Sequence, residues 1–201
     1  MTATRFRRRR TLLALSAGIG LVLTASAVPA QITPDTALQA FTEATREYAE
    51  LHRRIERQLP PLEVTSDPAV IDRAVRHLAA VIRMARPTMR QGDFFSDELG
   101  VTMRVRVAES LAANGFTAAD IRATEHPAMD PYQLPLKVGE PFHWVYGSAM
   151  FPCVLRALPP LPPELQYRIV GSTLVLIDVH ANLMLDLLPY ILADTEFRDG
   201  N

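Results

Sequence analysis

Apolar residues return every three or four positions between 33 and 59. Phe41, Ala44, Tyr48, Leu51, Ile55 and Leu59 form one stripe, and Glu43, Glu47, Glu50, Arg53, Arg54, Glu56 and Arg57 fill the spaces between them. That spacing predicts an amphipathic helix lying on a core, with its charged face in solvent. Thr33-Pro34-Asp35 reads as its start: a side-chain cap, a residue whose missing N–H costs nothing there, and an acid at the positive end of the dipole. Pro60-Pro61 stops it. Ser66-Asp67-Pro68 repeats the cap-then-proline signal for a second helix, with Ile71, Ala74, Val75, Leu78, Val81, Ile82 and Ala85 inward and Pro87 as its end. A third helix follows Ser96. Leu99, Met103, Val107 and Leu111 line one side and Val101, Val105, Ala108 and Ala112 another, so it is expected to be the most buried of the three. Asn114-Gly115 supplies its C-terminal cap, and Thr117 to Asp120 a short capping box.

The pattern breaks after His126. Prolines 127, 131, 135 and 141 predict a structured loop, with one short strand near 136–138. "PFHWVYG", 141–147, gathers His143, Tyr146 and Trp144, the only tryptophan, into an aromatic segment. It serves either as a plug under the loop or as a platform for a ligand. "LPPLPPEL", 158–165, reads as a stiff polyproline link between strands.

Alternation takes over near the C-terminus. Two strand-like runs flank Gly171-Ser172, a Gly-first pair suited to a tight hairpin turn. Pairing Val170 with Thr173 sets Ile169 opposite Leu174, Tyr167 opposite Leu176 and Leu165 opposite Asp178. Tyr167, Ile169, Leu174 and Leu176 then share the face that meets the helices, with Arg168, Val175 and Ile177 on the other. Because Leu174 to Ile177 is apolar on both faces, this strand should be covered on both sides. In "HANLMLDLL" the spacing of Leu183 with Leu187 and of Met184 with Leu188 predicts a final helix, capped by Asp178 and ended by Pro189. The expected fold class is α+β: mainly helical, three substantial helices packed with a C-terminal β-hairpin and a final helix.

The N-terminus changes what counts as the folded protein. "RFRRRR", an apolar stretch of 13 residues and the small residues Val28-Pro29-Ala30 have the form of a signal peptide over 1–30, leaving 31–201 as a single globular domain. The apolar stretch is short for a membrane span, which needs about 20 residues, so no stable span is expected after cleavage. Arg9-Arg10 also suits a twin-arginine signal, although the general secretory route is the simpler expectation. The localisation implied is periplasmic or secreted. Removing residues 1–30 lowers the 21 basic residues to 16 against 22 acids, a net charge of −6. An acidic chain is the wrong balance for tracking phosphates, which disfavours nucleic acid as a partner. Cys153 is the only cysteine, so no intrachain disulfide can form, and its apolar surroundings suggest a small buried hydrophobe.

The sequence holds no Gly-rich phosphate loop, G-x-S-x-G elbow, H-E-x-x-H helix or calcium loop. Asp178, His180 and Asn182, at the end of a strand-like run, resemble the D-x-H-(G/A)-N start of the metallophosphoesterases. That resemblance implies Asp178 and His180 as metal ligands. It extends no further. Only 19 residues follow Asn182, none of them His, and the upstream histidines 52, 77, 126 and 143 stand in no matching motif. The segment from Leu161 to Pro189 also resembles the C-terminal part of uncharacterised exported bacterial proteins, to which no activity attaches. The sequence thus points to an exported small domain, non-catalytic, that binds a protein or small-molecule partner in the cell envelope. His143, Trp144 and Tyr146 are its candidate contacts, and no cofactor is called for. A metal-dependent hydrolase using Asp178 and His180 is the alternative.

Overall fold

The computed structural model describes residues 33–61, 63–124, 136–146 and 150–192. The leader expected over 1–30, most of the proline-rich loop and the polar tail lie outside the described residues.

Helix α1 spans Pro34–Glu56, and Thr33 caps it by accepting the Thr36 N–H. Helix α2 spans Pro68–Ala85, capped by Asp67 through the Ala69 N–H, and α3 spans Asp97–Ala113, capped by Ser96. All three starts are those expected from the sequence. Gly115 follows α3 with a positive φ, and Thr117 and Asp120 form the reciprocal capping box of α4, Ala118–Arg122. A further short helix, α5, covers Pro152–Ala157 and buries Cys153 and Val154. The proline-rich link from Leu158 therefore joins this helix to a strand, not two strands as expected. Among the described residues no helix is long and apolar enough to cross a membrane.

Strands β1 (Leu165–Val170), β2 (Thr173–Asp178) and β3 (Leu183–Leu188) make one antiparallel sheet in the order β1-β2-β3. The hairpin register follows the sequence expectation pair by pair, from Val170↔Thr173 to Leu165↔Asp178. Gly171 supplies the positive φ that its turn demands. Tyr167, Ile169, Leu174 and Leu176 join the main core with Phe41, Tyr48, Leu99, Met103 and Val107. On the opposite face Val175 and Ile177 pack with Phe142, Met184 and Leu187, so β2 is covered on both sides.

The α+β, mainly helical class holds, but further details differ from expectation. Residues 183–188 form β3 and not a helix. The pairing slips between Leu176↔Asp186 and Ile177↔Met184, which leaves Leu185 as an extra residue. That bulge keeps Leu183, Leu185 and Leu188 on the core face and Met184 and Leu187 on the other. Steps of two and three replace strict alternation, and the sequence then imitates helical spacing. The short strand expected near 136–138 is replaced by pairing one turn later. Gly139 N–H donates to Met184 O at 2.8 Å and Phe142 N–H to Asn182 O at 3.2 Å, covering the outer edge of β3.

Helix α3 buries one face, through Leu99, Met103, Val107 and Leu111, whereas Val101 and Val105 on the other side are exposed. Helix α2 is likewise buried only through Leu78, Ala79 and Ile82. Its first two turns project beyond the core, with Val70 and Ile71 exposed and Ala74 and Val75 half-buried.

Candidate metal centre

Asp178 ends β2 with its side chain fully buried. A buried carboxylate must find hydrogen bonds to offset its lost hydration, and four donors reach it. Oδ1 accepts the His180 N–H at 3.0 Å and the Ala181 N–H at 2.8 Å, which shapes the turn 179–182. Oδ2 accepts the Tyr48 hydroxyl at 2.6 Å and lies 2.6 Å from His52 Nδ1. The sequence cast Asp178 as the cap of a helix. It caps a turn between strands, using the same kind of backbone N–H groups.

An ionised carboxylate can only accept, so the short contact assigns the proton of neutral His52 to Nδ1. Nε2 then carries the lone pair, and it is buried with no hydrogen-bond partner. Carboxylate behind and lone pair in front is the arrangement that orients an imidazole toward a metal ion. Glu56 follows one turn later on the same face of α1. Its Oε2 lies 3.7 Å from His52 Nε2, and its Oε1 lies 3.4 Å from His180 Nδ1. His52, Glu56 and His180 each offer a ligand atom, all within 4.8 Å of one another. In a tetrahedral site with bonds of about 2.1 Å, neighbouring donors stand roughly 3.4 Å apart. Glu56 stands at about that distance from each histidine, with Oε2 toward His52 and Oε1 toward His180.

The electrostatics favour a cation at Nε2. Burial depresses the His52 pKa, but the Asp178 hydrogen bond and the charges of Asp178, Glu56 and Glu164 outweigh it, and the value stands above the ordinary one. The field that favours a proton there favours a metal cation by the same argument. Tyr48 is held far above its ordinary range by burial and by the neighbouring Asp178 charge, so it remains a hydrogen-bond donor. On the solvent side, His180 and Glu56 are half-exposed, at 48% and 50%. They line an open groove of ≈ 840 Å³ with Arg57, Leu59, Val75 and Leu78.

Of the metal pair expected from the sequence, His180 reaches the cluster as a potential ligand. Asp178 stands one shell behind it, with four donors on its two oxygens. His52, Glu56 and Tyr48 were not identified from the sequence. Yet His52 sits four residues after Tyr48 and three before Ile55, on the stripe that is buried. A histidine at a core position of an otherwise amphipathic helix was the available signal.

The other candidate contacts lie elsewhere. Trp144 and Tyr146 bound a short 3-10 turn. Trp144 is 43% exposed. Its ring meets Phe142 edge-on at 5.3 Å and lies under the Arg168 guanidinium at 5.3 Å. His143 is exposed and does not join the His52 cluster. Phe142, fully buried, is the plug of this segment. No family model, curated protein or solved structure matches the chain, so a function has to be argued from the geometry around His52.

Proposed function

We propose that the chain is an exported binding domain whose ligand is a divalent metal ion of the zinc class, held by His52 Nε2, Glu56 and His180. One observation carries this reading: the buried, unpartnered Nε2 of His52, backed by Asp178 and turned toward two half-exposed donors. An unsatisfied buried nitrogen costs about 1–3 kcal/mol, and coordination would offset that cost. Two imidazoles and one carboxylate suit zinc, cobalt, nickel or copper, whereas magnesium and calcium prefer oxygen donors alone. Helix α1 presents two of the donors one turn apart, and the turn after β2 presents the third. The leader expected over residues 1–30 supports placement of the domain in the cell envelope, with an N-terminus at Gln31 on the exported product.

The test is equilibrium dialysis of the full chain against Zn²⁺ after chelator treatment, with calorimetry to count sites. One saturable ion per chain is expected, with a rise in melting temperature from selective binding to the folded state. Glu56→Gln and His180→Ala should each remove the saturable uptake. Uptake that is absent, or that survives both substitutions, overturns the reading.

A further inference from the structure

The ion proposed above has three protein ligands, and two of them, Glu56 and His180, line the groove. A fourth ligand to that ion would therefore reach it from the groove. The groove walls are mostly apolar: Leu59, Pro60, Pro61, Val75 and Leu78. Val70 and Ile71, one turn earlier on α2, extend the apolar surface into solvent. Its size, ≈ 840 Å³, falls in the range of small-molecule sites.

Charge narrows the ligand further. The charges of Asp178 and Glu56 would balance a divalent ion. Arg53 is already paired with Glu164 at 2.6 Å. Arg57, also in the groove lining, has no ion-pair partner among the described residues and leaves one positive charge unmatched. A molecule that satisfies both the ion and Arg57 carries an anionic oxygen group. One that satisfies the walls carries an apolar body.

Resting on the metal reading, we infer that the groove binds small apolar monocarboxylic acids, with the carboxylate on the ion's fourth position beside Arg57 and the hydrocarbon against Val75 and Leu78. Specificity then divides in two. The ion and Arg57 select the carboxylate, and the α2 wall selects the length of its chain.

Octanoate and acetate are suitable probes, with the full chain loaded with Co²⁺ in place of zinc so that its visible spectrum reports the coordination sphere. Octanoate should change the cobalt bands saturably and bind at least tens of times more tightly than acetate, because each buried methylene contributes about 0.8 kcal/mol. Val75→Arg should abolish that preference while leaving Co²⁺ uptake and the acetate response in place. Arg57→Gln should weaken both acids several-fold without altering Co²⁺ affinity. Cobalt uptake with no spectral response to octanoate, or with equal affinity for the two acids, overturns this inference and leaves the metal site standing. No cobalt uptake overturns both. A Val75→Arg variant that still prefers octanoate places the hydrocarbon elsewhere and overturns the assignment of the groove.

Discussion

Two aspartates in the C-terminal sheet are both fully buried, yet they do opposite things. Asp186, beside the bulge in β3, accepts only backbone N–H groups: Gly92 at 2.8 Å, Phe94 and Phe95 at 2.7 Å each, and Leu187 at 2.8 Å. Gly92 adopts φ +91, which L side chains rarely adopt, and the 92–95 loop can then direct its N–H groups inward. Burial pushes the Asp186 carboxyl up, and those four N–H groups pull against it. Asp178 divides its bonds between two turn N–H groups and two side chains from α1, a phenol and an imidazole. A carboxylate bound by amides fixes the path of the chain. One bound by an imidazole also fixes where the far nitrogen of that ring points. Burial alone does not separate scaffold from site; the identity of the donors does.

The largest effect that would sharpen this contrast is on Asp186. Asp186→Ala strands the loop N–H groups and should cost about 3–6 kcal/mol, read by chemical denaturation. Whatever fraction remains folded should bind Zn²⁺ as the parent does. A loss of zinc uptake by the folded fraction would show that the two aspartates are not separable. Asp178→Asn comes next. It should cost about 1–3 kcal/mol, and it should also weaken metal affinity by about 10–100-fold, as loss of an orienting carboxylate does. A stability loss with unchanged affinity would make Asp178 a second scaffold.

His180→Ala removes a half-exposed side chain and should leave stability within about 0.5 kcal/mol while removing saturable metal uptake. It therefore separates binding from folding most cleanly. The smallest effect concerns Glu164, an acid paired with the Arg53 cation. The Arg53 hydrogen bond holds its pKa below the ordinary value of 4.5, against the opposing effect of burial. Its folded value is depressed, so its contribution is complete above 4.5 and is lost as pH falls through the folded value. Acid unfolding followed by circular dichroism should show that limb, and Glu164→Gln should flatten it.

Much of the architecture was legible because local chemistry and tertiary demand agree. Caps at Thr33, Asp67, Ser96 and Thr117 are set by side chains next to the N–H groups they satisfy. The hairpin register follows from a two-residue turn together with two-sided burial of β2. What escaped depends on contacts distant in sequence. An apolar run buried on both faces has no alternation to read, and the bulge at Leu185 gave it a helix-like period. The outer faces of α2 and α3 were assigned to the core because apolar spacing does not say whether a partner exists. The site was legible by half. The sequence identified Asp178 and His180, but His52 lies 126 residues from Asp178, and no local pattern connects them. The stripe chosen on α1 ran through Ala44 and Leu51, whereas the buried one runs through Thr45 and His52. A shift of one residue concealed the ligand.

Asp186 also matters before the fold exists. In the finished sheet its charge is matched by amides, but in the extended chain it is bare, in the middle of Leu183-Met184-Leu185-Asp186-Leu187-Leu188. Without it those six positions would form an uninterrupted apolar segment of the kind that stacks between chains. A single charge set among leucines is a gatekeeper against such association. The residue that anchors the 92–95 loop in the folded domain therefore also guards the same segment against association during synthesis, and replacing it with leucine would remove both protections together.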